Sequence, residues 1–112
     1  MKLIHLSDVP KTVAHDSLNR QRIITPGDLK SQIQTVNYVE QSPGESYTPH
    51  SHPDCEECFF IIDGSADAEI AGKQVILHKG DFLVVEAGEQ HVFLNSSKEI
   101  LKYIQFRALL LA

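Results

Sequence analysis

The sequence predicts an all-β fold, an antiparallel sandwich or barrel, and three observations carry that reading. In the second half the glycines fall at Gly64, Gly72, Gly80 and Gly88, eight residues apart each time. Between them lie short runs, Cys58 to Asp63, Ala66 to Ile70, Gln74 to Leu77 and Phe82 to Val85, none long enough for a typical helix. That half contains no proline. Short strands punctuated by turns every 8–12 residues or so are the pattern of a sandwich or barrel.

Taken in order, residues 1 to 30 promise little chemistry: a short apolar start, Pro10, then Arg20-Gln21-Arg22-Ile23-Ile24 closed by the turn-like Thr25-Pro26-Gly27-Asp28. His5 and His15 have no ligand-like neighbours and read as surface or edge histidines. From Ser31 to Glu40 polar and apolar residues alternate through Ile33, Val36, Tyr38 and Val39, which predicts a strand with one wet face. Gln41-Ser42-Pro43-Gly44 ends it.

The stretch Pro49-His50-Ser51-His52-Pro53-Asp54-Cys55-Glu56-Glu57 organises the rest. In a strand the side-chain period is two, so His50 and His52 would project from one face, as two ligands of one ion must. Glu57 opens the β-forming run Glu57 to Ile62, and a turn at Pro53-Asp54 would bring it beside them. His91 begins the apolar stretch His91 to Leu94, and after Asn95-Ser96-Ser97 a last strand is expected over Ile100 to Phe106. Cys58 to Ile62 is apolar on both faces, Phe59 and Ile61 on one and Phe60 and Ile62 on the other. One face lines the interior; the other needs a second layer or a partner subunit, and the apolar Phe106 to Ala112 segment points the same way. A homodimer is expected.

At 112 residues the chain reads as one domain over residues 1–112. The formal charge of −5 is spread along it, with no Lys/Arg cluster of the kind that binds nucleic acid or anionic membranes. No stretch approaches the ~20 apolar residues of a membrane span, and the N-terminus lacks a signal-peptide pattern, so a cytoplasmic protein is expected. Cys55 and Cys58 form a Cys-x-x-Cys without the βαβ context of a redox site or a second pair for a zinc ribbon, and read as ordinary reduced thiols.

At this point the residues resemble a known family, the cupins, and in particular its small single-domain members. Their first motif is met by Gly44, His50, His52, Glu57 and Gly64 with every spacing correct. In the second, Gly80, Gly88, His91 and Asn95 stand in register, while Glu86 occupies a proline position. The motifs span residues 44–64 and 80–95. The resemblance implies a double-stranded β-helix, a jelly-roll barrel, in which His50, His52, Glu57 and His91 bind one divalent ion. Three imidazoles and a carboxylate suit Fe, Mn, Ni, Cu or Zn and disfavour Mg or Ca. Taken singly, His91 would be a hydrogen-bonded structural histidine and His50 and His52 a surface accident; their joint spacing favours the ion. His78 reads as solvated and Glu86 as an outward-facing turn residue.

Phe59, Ile61 and Phe93 share strand faces with Glu57 and His91 and are the candidate pocket walls; Tyr38, Tyr47, Tyr103 and Gln105 are candidate polar contacts that strand phase alone does not place inside. The resemblance implies either a mononuclear metalloenzyme acting on a small organic molecule, of dioxygenase, isomerase or lyase type, or a metal-dependent module that binds a small ligand without turnover.

Overall fold

A computed structural model describes residues 1–14 and 18–111, and His15 lies outside them. Nine strands follow one 3-10 turn at Leu6–Asp8: β1 (Lys11–Ala14), β2 (Leu18–Ile24), β3 (Ile33–Gln41), β4 (Cys55–Asp63), β5 (Ser65–Ile70), β6 (Lys73–His78), β7 (Phe82–Val85), β8 (His91–Leu94) and β9 (Leu101–Leu109). They form a six-stranded sheet in the order β1-β2-β3-β9-β4-β7 and a three-stranded sheet in the order β6-β5-β8. All named pairings are antiparallel.

Apart from the His50–His52 segment, each expected strand is present, and several run longer than their apolar run. β4 begins at Cys55, two residues before the β-forming run that Glu57 opens, because Cys55, Glu56 and Glu57 pair with Leu109, Ala108 and Arg107. β1 and β2 were not anticipated. Four of the seven residues of β2 are polar, and it forms because β3 supplies its partner from Asn19↔Glu40 to Ile24↔Val36.

The core lies between the sheets. Phe59 and Ile61 of β4, Leu101 and Tyr103 of β9, Val39 of β3 and Val85 of β7 meet Ala66, Ala68 and Ile70 of β5, Leu77 of β6 and Phe93 of β8. Phe93, Phe59 and Tyr103 pack as mutually tilted rings with centroids 4.8 to 5.9 Å apart. That separation favours edge-to-face contact over stacking.

The outer face of β4 and its neighbours has no such cover. Phe60 is 43 % exposed and Phe82, its cross-strand partner, 55 %. Ile62 and Val84 continue the apolar patch.

Two turns explain the glycine spacing. At Gly64 φ is +83°, and a Cβ there would stand 2.8 Å from the Ile100 carbonyl oxygen, so both backbone conformation and close approach require glycine. Between β5 and β6, Ala71 (φ +49°) and Gly72 (φ +82°) are both left-handed, as a two-residue hairpin of the mirror-image type demands. Among the described residues no helix is long and apolar enough to cross a membrane.

Candidate metal centre

The segment between β3 and β4 is not the strand expected from His-x-His. Pro49 and Pro53 lack an amide to donate, so no ladder can run through them. One isolated antiparallel bridge survives, His50 with His91, through His91 N to His50 O at 3.0 Å and His50 N to His91 O at 3.3 Å. His52 is fixed differently, its carbonyl accepting from Gly88 N at 2.8 Å. The first and last motif positions are joined as well, Gly44 N donating to Asn95 O at 2.7 Å. Asn95 Nδ2 donates to Gln41 O and Glu99 O, so this asparagine stitches the loop to β8.

These constraints bring three of the four expected ligands together. Ligand atoms of His50, Glu57 and His91 all lie within 4.8 Å of one another, a group that could hold a metal ion. Ring centroids of His50 and His91 are 4.3 Å apart, and those of His50 and His52 are 5.2 Å apart. Glu57 Oε1 is 3.8 Å from His50 Nε2 and 2.7 Å from His52 Nε2, while Oε2 is 3.4 Å from His91 Nε2. His52 stands outside the mutual radius and touches the group through Glu57.

Donor orientation supports an ion. His91 Nδ1 faces the Glu89 carbonyl at 3.4 Å and His50 Nδ1 faces the Thr48 carbonyl at 3.3 Å. A proton on each Nδ1 leaves the Nε2 lone pair pointing to the centre, the arrangement that second-shell carbonyls impose on metal-binding histidines. Glu57 Oε1 and His91 Nε2 are buried yet have no hydrogen-bond partner, so His52 Nε2 lies close to Oε1 without a ring N–H aimed along the contact. Buried lone pairs left facing one another are costly unless a cation takes them. Gln105 Nε2 donates to Glu57 Oε2 at 3.2 Å and is itself held by Asn37 Nδ2, which donates to Gln105 Oε1 at 2.7 Å.

Burial by itself pushes the Glu57 carboxyl up, but contact with His50 and His91 and the charge the imidazoles can carry outweigh it and hold the group well below the ordinary carboxylate range. The neighbouring Glu57 raises His50 against the opposing effect of burial. Burial lowers His52, with Arg107 adding to the effect. Glu57 therefore stays ionised at any pH at which the imidazoles are neutral, as ligation requires.

Beside this group opens a cavity of about 190 Å³. Of the residues expected in its walls, Phe59, Tyr47, Tyr103 and Gln105 line it. Three do not. Ile61 and Phe93 are fully buried in the core and absent from the lining, and Tyr38 sits on the opposite face of β3, where its hydroxyl donates to Glu40 Oε2 at 2.8 Å. Strand phase explains Tyr38: Thr35, Asn37, Val39 and Gln41 are the inward positions. Glu86 is exposed, its N–H donating to Glu89 Oε1 at 2.8 Å in the turn that contains Gly88. His78 is exposed too. Cys55 is buried on the inner face of β4 and Cys58 lies on the outer one, so the two thiols point apart. Burial pushes the Cys55 thiol up to about 11, which keeps it protonated and unreactive.

Sequence reasoning missed Arg20, Arg22, Thr35, Asn37 and Arg107, which also line the cavity. Arg20-x-Arg22 was legible as a period-two pair, but it was set in a segment not recognised as a strand.

Residues 37–106 match the Cupin domain family. The chain belongs to that family. This cupin is 30 % identical over 73 residues to the tetracenomycin polyketide synthase protein TcmJ of Streptomyces glaucescens, a match covering 65 % of the chain and 49 % of that relative. The chain thus spans about half the length of the curated relative it matches. Among solved structures, a predicted oxalate decarboxylase of Thermotoga maritima superposes with a TM-score of 0.91 at 18 % identity, over 97 % of this chain and all of that one. The polyketide cyclase RemF of Streptomyces resistomycificus gives 0.80 at 20 % identity, over 100 % and 87 %. A Cupin 2 conserved barrel protein of Salinispora arenicola gives 0.80 at 19 %, over 96 % and 88 %. At such identities the likeness establishes the jelly-roll barrel and nothing narrower.

Proposed function

We propose that this cupin is a mononuclear metal-dependent enzyme acting on a small organic molecule, with His50, His52, Glu57 and His91 as ligands of one divalent transition ion. The observation that carries the reading is the cluster of ligand atoms of His50, Glu57 and His91 beside an open cavity, in which the buried Glu57 Oε1 and His91 Nε2 have no hydrogen bond. An imidazole and carboxylate set suits Fe, Mn, Ni, Cu or Zn, and the two histidines and one carboxylate of the tight group are the donor set of non-haem iron oxygenases. His52 joins them by a rotation of the Glu57 carboxylate away from its ring.

The lining residues assign the division of labour. Burial raises the phenols of Tyr47 and Tyr103, so both keep their protons at neutral pH and act as donors rather than bases. Thr35, Asn37 and Gln105 are neutral, and the arginines are permanent cations. Outside the proposed ligands, the described lining holds no group that is a base at neutral pH. These side chains bind and orient the substrate, Phe59 and Val39 exclude water, and the ion when bound supplies Lewis-acid activation or, as iron, a place for O₂. The names of TcmJ and RemF point to polyketide chemistry, and the cavity of about 190 Å³ also has room for a smaller substrate. The same reading takes the chain as one cytoplasmic domain, paired with a second copy through the uncovered face of Phe60 and Phe82.

Metal analysis of the purified protein tests it, followed by O₂-uptake assays on the iron-loaded form with catechol and thiol substrates. His50→Ala and His91→Ala are expected to lose the metal, and turnover with it. Unchanged metal content in both variants would refute the ligand assignment, and tight ligand binding without product would make this a binding module.

A further inference from the structure

The chain has three arginines and seven lysines, and all three arginines, Arg20, Arg22 and Arg107, line the cavity while none of the lysines does. In a protein of formal charge −5 this is a strong local reversal of sign. β2 builds half of it: Leu18, Arg20 and Arg22 occupy alternate positions and enter the cavity together, and Arg107 comes from β9. Among the described residues, none of the three guanidinium groups has an ion-pair or hydrogen-bond partner, and the only acid in the lining is Glu57, already engaged by the histidines. Arg20 Nε is itself inaccessible to solvent and unpartnered. Asn37 Oδ1, in the same lining, is a second buried polar atom without a partner. A buried N–H of a permanent cation is expensive to leave unmet, and here burial and the charge of Arg22 both act against the Arg20 guanidinium.

We propose that the cavity is built for a small organic carboxylate, whose carboxylate group is seated on the Arg20 fork with Arg22 and Arg107 flanking it. Its other polar end is thereby turned toward His50, Glu57 and His91, a clause that rests on the metal-centre reading. Arginine rather than lysine fits, because a planar guanidinium meets a carboxylate through two parallel hydrogen bonds. Asn37 Oδ1 is an acceptor and suits a hydroxyl or amine on the same molecule. A cavity of about 190 Å³ has room for an acid of a few carbons. The positive charge concentrated at the cavity also draws in such anions against the negative charge of the whole chain.

The test is calorimetric titration of malonate, and of its neutral analogue malonamide, into zinc-loaded and metal-free protein, with zinc per chain measured in each sample. Wild type is expected to bind malonate at least about tenfold more tightly than malonamide. Arg20→Gln should weaken malonate by roughly 10- to 100-fold with zinc content unchanged, the loss of a charge-assisted pair. Arg20→Lys, which keeps charge and fold but not the fork, should recover part of that loss. If malonate fails to bind zinc-loaded wild type, binds it no better than malonamide, or binds Arg20→Gln and Arg20→Lys as it binds wild type, the carboxylate site is refuted. If no form retains zinc and yet malonate binding to the metal-free protein still falls on Arg20→Gln, the carboxylate site stands and the metal centre falls.

Discussion

Asn37 Nδ2 donates to Gln105 Oε1 across the β3–β9 pairing, where the two residues stand directly opposite each other, and this bond aims the Gln105 amide at Glu57. The amide has one orientation that serves both neighbours: its oxygen must face Asn37 for its nitrogen to face the carboxylate. Gln105→Leu is expected to lower metal affinity about 10- to 100-fold, the usual effect of losing a partner that orients a ligand. Asn37→Leu should cost less, and the double variant no more than Gln105→Leu alone, because both act through one bond chain. Competitive chelator titration reads all three.

Metal binding should depend on pH through the His50 imidazole. His50 is raised above its ordinary 6.5, so in the metal-free protein it holds its proton until the pH climbs through that higher value. Glu57 is depressed and His52 lowered, so neither carries a proton in that range. Affinity should rise with pH until His50 is neutral, with the His50 proton released on binding. In the metal-free protein the same His50 shift contributes stability present below pH 6.5 and lost as the pH rises through the folded-state value. Calorimetry in buffers of different ionisation enthalpy counts the proton; release of none would contradict the assignment.

The hairpin at Ala71-Gly72 is an identifiable weak point. A left-handed alanine costs about 1–2 kcal/mol, and asparagine tolerates that region. Ala71→Asn should raise the unfolding free energy by roughly 0.5–1 kcal/mol. Gly72→Ala, with open space around the new Cβ, should lower it by about 1 kcal/mol. Gly64→Ala combines the same strain with a collision against Ile100 O and should lose roughly 2 kcal/mol or more. Denaturant melts at constant m-value decide the order.

Sedimentation is expected to show a dimer. Phe60→Lys combined with Phe82→Lys should give a monomer with its metal content retained, because both rings lie on the outer face, away from the cavity. A wild-type monomer at tens of micromolar would remove the dimer from the proposed reading.

Much of the fold was visible in the glycine spacing because those glycines perform backbone tasks that other residues perform badly, and such positions repeat with the strands they separate. Glu57 and His91 were visible for a related reason: fixed spacing to Gly64 and Asn95 ties each to a turn. What strand phase could not supply was which face of β3 looks inward. Four of its inward positions are Thr35, Asn37, Val39 and Gln41, so polarity there marks the site and not the solvent, and Tyr38, a candidate contact, faces away from it. Arg20 and Arg22 were hidden likewise. β2 is a strand by virtue of its partner, and a charged, alternating segment looks like surface until the sheet that turns it inward is known.

β9 lies between β3 and β4, pairing with both along most of its length. Without residues 101–109 neither β3 nor β4 has this partner, and a chain truncated before them keeps Glu57 but loses the amide that steadies it and the Arg107 beside it. One strand thus joins the two halves of the larger sheet and carries both the amide that serves the carboxylate and one of the three cavity arginines.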